Sequence, residues 1–138
     1  MVSFVPSFTA PEGAAQNRGG WEEARRLREE HEGDREALHA AMETWFEALG
    51  EVPATVAQVA DHIDHARQVA GIDHIGVGGD FDGAGSMPKG LEDVSGYPAL
   101  FAELTARAYT DEDLQKIAGR NVLRVMREAE RVASGLMS

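Results

Sequence analysis

The sequence predicts an α/β fold, on three observations. Residues 2–8 (Val-Ser-Phe-Val-Pro-Ser-Phe) are β-prone from the start. A helical stretch that closes at Gly71 leads after a very short turn into an apolar run at 74–79, carrying Ile75 and Val77. Helix, glycine and buried strand in that order form the αβ half of a βαβ unit. The run ends in Gly78-Gly79-Asp80, and the carboxyl end of a strand is where parallel α/β sheets keep their chemistry.

Taken in order, the strand at 2–8 should stop pairing at Pro6, which lacks a backbone donor. A strand that opens at the second residue is unusual for a free-standing domain, so earlier chain is expected. Residues 9–20, rich in Pro, Gly, Ala and Asn, read as loop. Residues 21–32 are charged and helix-prone, interrupted or capped by Gly33-Asp34. A second helix is predicted over 34–49, with Leu38, Ala41, Met42, Trp45 and Leu49 at helical spacing. These two stretches hold much of the acidic excess, as solvated faces do.

Pro53 and Thr55 open the next helix and Gly71 closes it, with Val56, Val59, Ala60, Ile63 and Ala70 as one apolar stripe. Residues 81–98 form a long loop punctuated by Gly83, Gly85, Pro88, Gly90 and Gly96; loops of this length in compact domains are commonly lids or binding loops. A helix over 98–107 follows. Thr110 and Asp113 make a near-capping box for another, with Asp111, Glu112 and Asp113 at its positive end. Gly119 separates that helix from a final one carrying Val122, Leu123, Val125 and Met126.

A length of 138 residues fits one domain with a modest core. With 43% hydrophobic and 27% charged residues, the chain belongs with soluble globular proteins. A net charge of -11 argues against a nucleic-acid groove or an anionic membrane surface as partner. No cysteine is present, which excludes disulfides, thiolate nucleophiles and Cys-ligated zinc. No apolar stretch approaches the roughly 20 residues of a membrane span, and Met-Val-Ser-Phe-Val-Pro lacks signal-peptide regions. A cytoplasmic location is the default expectation.

Asp80 and Asp82 fall in a Gly-rich turn, and spacing alone supports a polar turn as well as chemistry. Asp80 is the stronger candidate, because a carboxylate at a strand mouth beside flexible glycines suits a general base or proton shuttle. Asp82 reads as a turn former. The residues on either side of Asp80 are the candidate substrate-binding positions, Gly79 for close backbone approach and Phe81 beside it. His62 and His65 lie three apart on one helix with Asp61 and Asp64 beside them, but a metal site needs further ligands that no spacing supplies. With His74 they read as structural, and His31 and His39 as exposed; no residue of the chain is assigned as a metal ligand. Gly76-Val-Gly-Gly lacks the full phosphate-binding fingerprint and runs into an acid, and Ser86 stands in no nucleophile elbow.

Four blocks occur in order: Asp61-His-Ile-Asp-His65, Gly71-Ile-Asp-His-Ile-Gly-Val-Gly-Gly-Asp-Phe-Asp-Gly83, Gly90-Leu-Glu-Asp-Val-Ser-Gly-Tyr-Pro98 and Ala118-Gly-Arg-Asn-Val-Leu-Arg-Val125. Together they resemble the C-terminal part of the membrane (renal) dipeptidases, peptidase family M19, over essentially the whole chain. The resemblance implies residues 1–138 as the C-terminal portion of a (β/α)8 metal-dependent hydrolase barrel: its last two strand–helix units, with strand seven at 2–6 and strand eight at 75–79, plus closing helices. It implies dipeptide hydrolysis with two zinc ions, often on substrates with a D-residue second, and it makes Asp80 the proton acceptor and donor. The family's His-x-Asp pair, bridging carboxylate and further histidines belong to earlier strands. A complete barrel takes about 250 residues, so the zinc ligands are not in this chain. The chain also reads Ser3-Phe4-Val5 where relatives often carry Asn-Phe-Tyr. The expectation is a zinc-dependent metallodipeptidase whose isolated fragment is inactive. The alternative is a non-catalytic or split-enzyme fragment that acts only with a partner polypeptide, or by self-association, to cover the open barrel.

Overall fold

Two prolines decide how the chain begins. Pro6 and Pro11 each sit in the first turn of a helix, where a missing N–H goes unused and the fixed φ already suits the helix. They open α1 (Pro6–Thr9) and α2 (Pro11–Glu30) in the computed structural model, which describes residues 1–50 and 52–136. The loop expected over 9–20 is therefore helix. Pro11 starts it, Glu12 lies at its positive end, and the small residues that read as loop-forming are tolerated inside it.

The remaining helices keep close to their sequence signals. The Asp34 side chain accepts a hydrogen bond from the Ala37 N–H at 3.0 Å and so starts α3 (Arg35–Leu49). Thr55 and Gln58 form a reciprocal capping box at the start of α4 (Val56–Ala70), and Gly71 ends it. Pro98 sits in the first turn of α5 (Tyr97–Ala106). The predicted Thr110–Asp113 box opens α6 (Asp111–Gln115). A π turn at Lys116–Arg120, in which Gly119 leaves helical geometry, joins it to α7 (Asn121–Leu136).

The two expected strands are reduced to one contact. Among the described residues no regular strand forms, and pairing survives as isolated parallel bridges, Val2 with Val77 and Thr55 with Lys89. At the first, the Val2 N–H donates to the Gly76 carbonyl at 2.6 Å and the Gly78 N–H donates to the Val2 carbonyl at 2.9 Å. The direction and partners are those expected of 2–6 lying beside 75–79, but the architecture is mainly helical rather than an α/β sheet. Parallel pairs are weak per residue and persist in wider sheets covered on both faces. Here Pro6 turns the first segment into a helix after four residues, and Ile72–His74 forms a 3₁₀ turn.

The core lies between α4, α5 and the bridged segments. Phe4, Val59, Ile63, Leu91, Leu100 and Leu104 are fully buried within it. The α4 stripe is buried at Val59, Ala60 and Ile63, while Ala70 is exposed in the helix's last turn. The apolar residues predicted on α3 are at best half-buried, because α3 packs mainly against α2 on the outside of the molecule.

An ionic hub ties α4 to α5 and α6. The Arg107 guanidinium donates to Asp61 at 2.6 Å, Asp64 at 2.7 Å, Glu103 at 2.8 Å and the Ala57 carbonyl at 3.1 Å. The Tyr109 hydroxyl donates to Asp64 at 2.7 Å, and Arg67 lies over the Tyr109 ring while pairing with Asp113 at 3.2 Å. Burial, reinforced by the bond to Asp64, pushes the Tyr109 phenol up to about 12. A group held neutral in the folded state stabilises fully below its ordinary pKa of about 10, and that contribution is lost as pH rises through the folded value. The wild-type chain should therefore lose on the order of 2 kcal/mol between pH 10 and 12 from this group. Urea midpoints at pH 8 and 11 should show a smaller alkaline loss in Tyr109→Phe.

Candidate functional site

Ile75 anchors the site by burying its side chain in the core, and the chain runs extended from there past the bridge at Val77. At its carboxyl end Asp80 adopts φ 63°, a left-handed conformation that Asp tolerates better than most residues. The carbonyl of Asp80 accepts from the N–H groups of Gly83 and Ala84, each at 3.1 Å, closing a turn. The Asp80 carboxylate lies over that turn: a Cβ at position 83 would stand 2.5 Å from Asp80 Oδ1, so Gly83 leaves the carboxylate room to rest there. Both Asp80 and Asp82 are exposed.

Gly79 serves a different contact. It is buried, and a Cβ there would stand 2.5 Å from the Phe81 ring, which folds back across it. Half-buried Phe81 then meets Phe4 edge-on at 6.0 Å and Tyr97 at 5.8 Å, and Phe4 and Tyr97 are 5.6 Å apart. Edge-on rings at these distances attract beyond their area burial. The candidate site is thus an exposed carboxylate beside an aromatic cluster built from three separate segments.

The loop at 81–98 divides in two. Its second half is pinned: the Lys89 N–H donates to the Ala54 carbonyl at 2.8 Å, and Leu91 is fully buried. Glu92 accepts from the Gly90 N–H at 2.9 Å and Asp93 from the Ser95 N–H at 2.7 Å. The Ser95 hydroxyl, together with its N–H, holds the Asp93 carboxyl below its usual range, and the Gly90 N–H does the same for Glu92. The block Gly90-Leu-Glu-Asp-Val-Ser-Gly is a hydrogen-bonded turn, anchored by buried Leu91, that leads into α5.

The sequence motif Asp61-His-Ile-Asp-His65 resolves into structure. Both of its aspartates bind Arg107, His62 is half-buried, and His65 is exposed on α4. His74 is exposed in the 3₁₀ turn, where Asp73 pairs with Lys116 at 2.9 Å. That pairing lowers the Asp73 carboxyl and raises the Lys116 ammonium. Among the described residues, no group of three or more His, Cys, Asp or Glu side chains is arranged to hold a metal ion. No described helix is long and apolar enough to cross a membrane. An apolar groove of about 830 Å³, lined by Trp21, Met42, Trp45 and Phe46, runs between α2 and α3 and reaches Ser86 but not Asp80.

One residue of the site region escaped the sequence reading. Asn121 is buried at the start of α7, and its amide donates to the carbonyls of Ile72 at 2.7 Å and Ile75 at 2.8 Å. The available signal was an asparagine just after Gly119, at the head of the final predicted helix.

Comparison with known proteins gives a consistent result. Residues 1–138 match the family described as membrane dipeptidase (peptidase family M19). The chain is 53% identical over 79 residues to Dipeptidase 3 of Macaca fascicularis, 52% to that of Homo sapiens and 51% to that of Mus musculus. In each case the match covers 57% of this chain and 16% of the relative.

Proposed function

Because the chain belongs to the membrane dipeptidase family, we propose that it serves in the hydrolysis of dipeptides, with Asp80 carrying the proton. The observation that supports this is the position of Asp80: an exposed carboxylate at the carboxyl end of a segment held in parallel register with Val2. In peptide hydrolysis a water oxygen forms a bond to the carbonyl carbon and gives up a proton. The C–N bond then breaks, and the departing nitrogen takes a proton. A single carboxylate within reach of both can accept the first proton at Oδ and return it to the amine. Phe81, half-buried beside it, would offer the substrate an apolar wall, whereas Gly79, expected to give close backbone approach, is buried beneath the Phe81 ring and instead makes room for that ring.

The zinc pair implied by the family resemblance does not fit the residues at hand. Asp80 and Asp82 are the carboxylates of the turn, the histidines of α4 lie beside the Arg107 hub, and no donor cluster forms among the described residues. No step is therefore assigned through zinc.

A second reading is favoured by the surface: the chain acts with a partner polypeptide that completes the site. The chain exposes 9174 Å² at a mass of 14.9 kDa, whereas a compact monomer of that mass exposes roughly 7,000 Å². Helix α7 presents Val125, Met126, Val132 and Leu136 largely to solvent on one stripe. In this reading the purified chain with added zinc hydrolyses no simple dipeptide, and co-expression with the rest of a dipeptidase barrel produces turnover. Zinc-dependent turnover by the chain alone would eliminate the partner reading. The absence of turnover in every combination would eliminate the dipeptidase reading.

A further inference from the structure

We propose that Asn121 is a positioning residue for Asp80, an inference that rests on the proton-carrying role proposed above. Besides the Tyr109 hydroxyl, bonded to Asp64, the polar side chains buried among the described residues are Thr9 and Asn121. Thr9 bonds within its own helical turn, to the carbonyls of Phe4 and Val5. Asn121 instead reaches across to a different segment and uses both amide hydrogens there, on Ile72 at 2.7 Å and Ile75 at 2.8 Å. A side-chain amide has two donors, and both are spent on the backbone that leads into the site.

The same turn grips that backbone again. The Ile117 carbonyl accepts from the Val77 N–H at 3.4 Å, and Arg124 donates to the Asp73 carbonyl at 2.5 Å. Along an extended segment, backbone groups alternate in direction. Val2 takes the Gly76 carbonyl and the Gly78 N–H on one edge, while Ile117 meets Val77 on the other. Residues 72–78 are therefore clamped between the amino-terminal segment and the start of α7. Beyond Gly78 the chain enters its own tight turn at Asp80, so the direction in which the carboxylate leaves is inherited from the clamp. Buried amide-to-carbonyl bonds are well suited to this role, because leaving either carbonyl unpaired costs more than the bond itself contributes.

The test uses the full chain and amide hydrogen exchange read by NMR, together with the carboxyl carbon resonance of Asp80. In Asn121→Ala the amides of Val77 and Gly78 should exchange roughly tenfold faster, the equivalent of about one net hydrogen bond. The Asp80 carboxyl resonance should move, and amides in α2 and α3 should keep their rates. Asn121→Ser, which retains one donor, should fall between wild type and Asn121→Ala. Unchanged exchange at Val77 and Gly78, or an unmoved Asp80 resonance, would overturn the assignment. So would a loss of protection spread evenly over the chain in both variants, since Asn121 would then be a general core residue. None of these measurements needs substrate, so a failure of the dipeptidase reading is recognised separately, by the absence of turnover in the assembled enzyme.

Discussion

In the proposed proton-carrying role, an Asp80→Asn chain co-expressed with the rest of a dipeptidase barrel is expected to lose about two to four orders of magnitude in kcat, the usual contribution of a positioned general acid–base. KM should change little, because the amide keeps the shape and polarity of the side chain. The backbone supplies the control: Asp80 has φ 63°, and Asn tolerates that region as well as Asp does. The turn bonds from Gly83 and Ala84 go to the carbonyl of residue 80, not to its side chain. The melting midpoint should therefore match wild type. A variant with wild-type kcat would remove Asp80 from the chemistry, whatever the rest of the site does.

Phe4→Ala is expected to have the largest effect on stability, about 3–5 kcal/mol in urea denaturation. Phe4 is fully buried and touches both other rings of the cluster, Phe81 and Tyr97. It also lies two residues from the bridge at Val2, where little regular pairing exists to resist collapse. Domains of this size are stable by about 5–15 kcal/mol, so the variant would leave little in reserve. Loss of the ring also frees Phe81, which folds over Gly79 next to Asp80. A cost below about 1 kcal/mol would mean that the surrounding side chains close over the cavity.

Much of the helical framework was legible because its signals are local. Thr55 opens α4 as expected, and Thr110 with Asp113, three residues apart, is the capping pair that starts α6. Gly71 ends α4 as expected. The loop assigned to 9–20 was misread because glycine and alanine counted as breakers, whereas Pro11 at a first-turn position outweighs them. The strand pair expected from the family resemblance survives among the described residues as one parallel bridge, Val2 with Val77, and not as strands. Their length depends on neighbours in the sheet, which no local pattern encodes.

At the site, the turn at Asp80 follows from Gly78-Gly79-Asp-Phe-Asp-Gly83, since its bonds run between near neighbours. The roles of Asp61 and Asp64 were not legible. Their partner Arg107 is more than forty residues away, and only the fold brings the three together. Asn121 was hidden for the same reason, being 46 residues from Ile75.

The positive φ at position 80 limits how this protein can drift. Most side chains placed there would strain the backbone, while Asn and Gly would be accommodated readily. Neither can relay a proton. The conformationally easy substitutions are therefore chemically mute, and a lineage in which the proposed proton-carrying role lapsed would still inherit a soundly folded chain, outwardly indistinguishable from one that kept it.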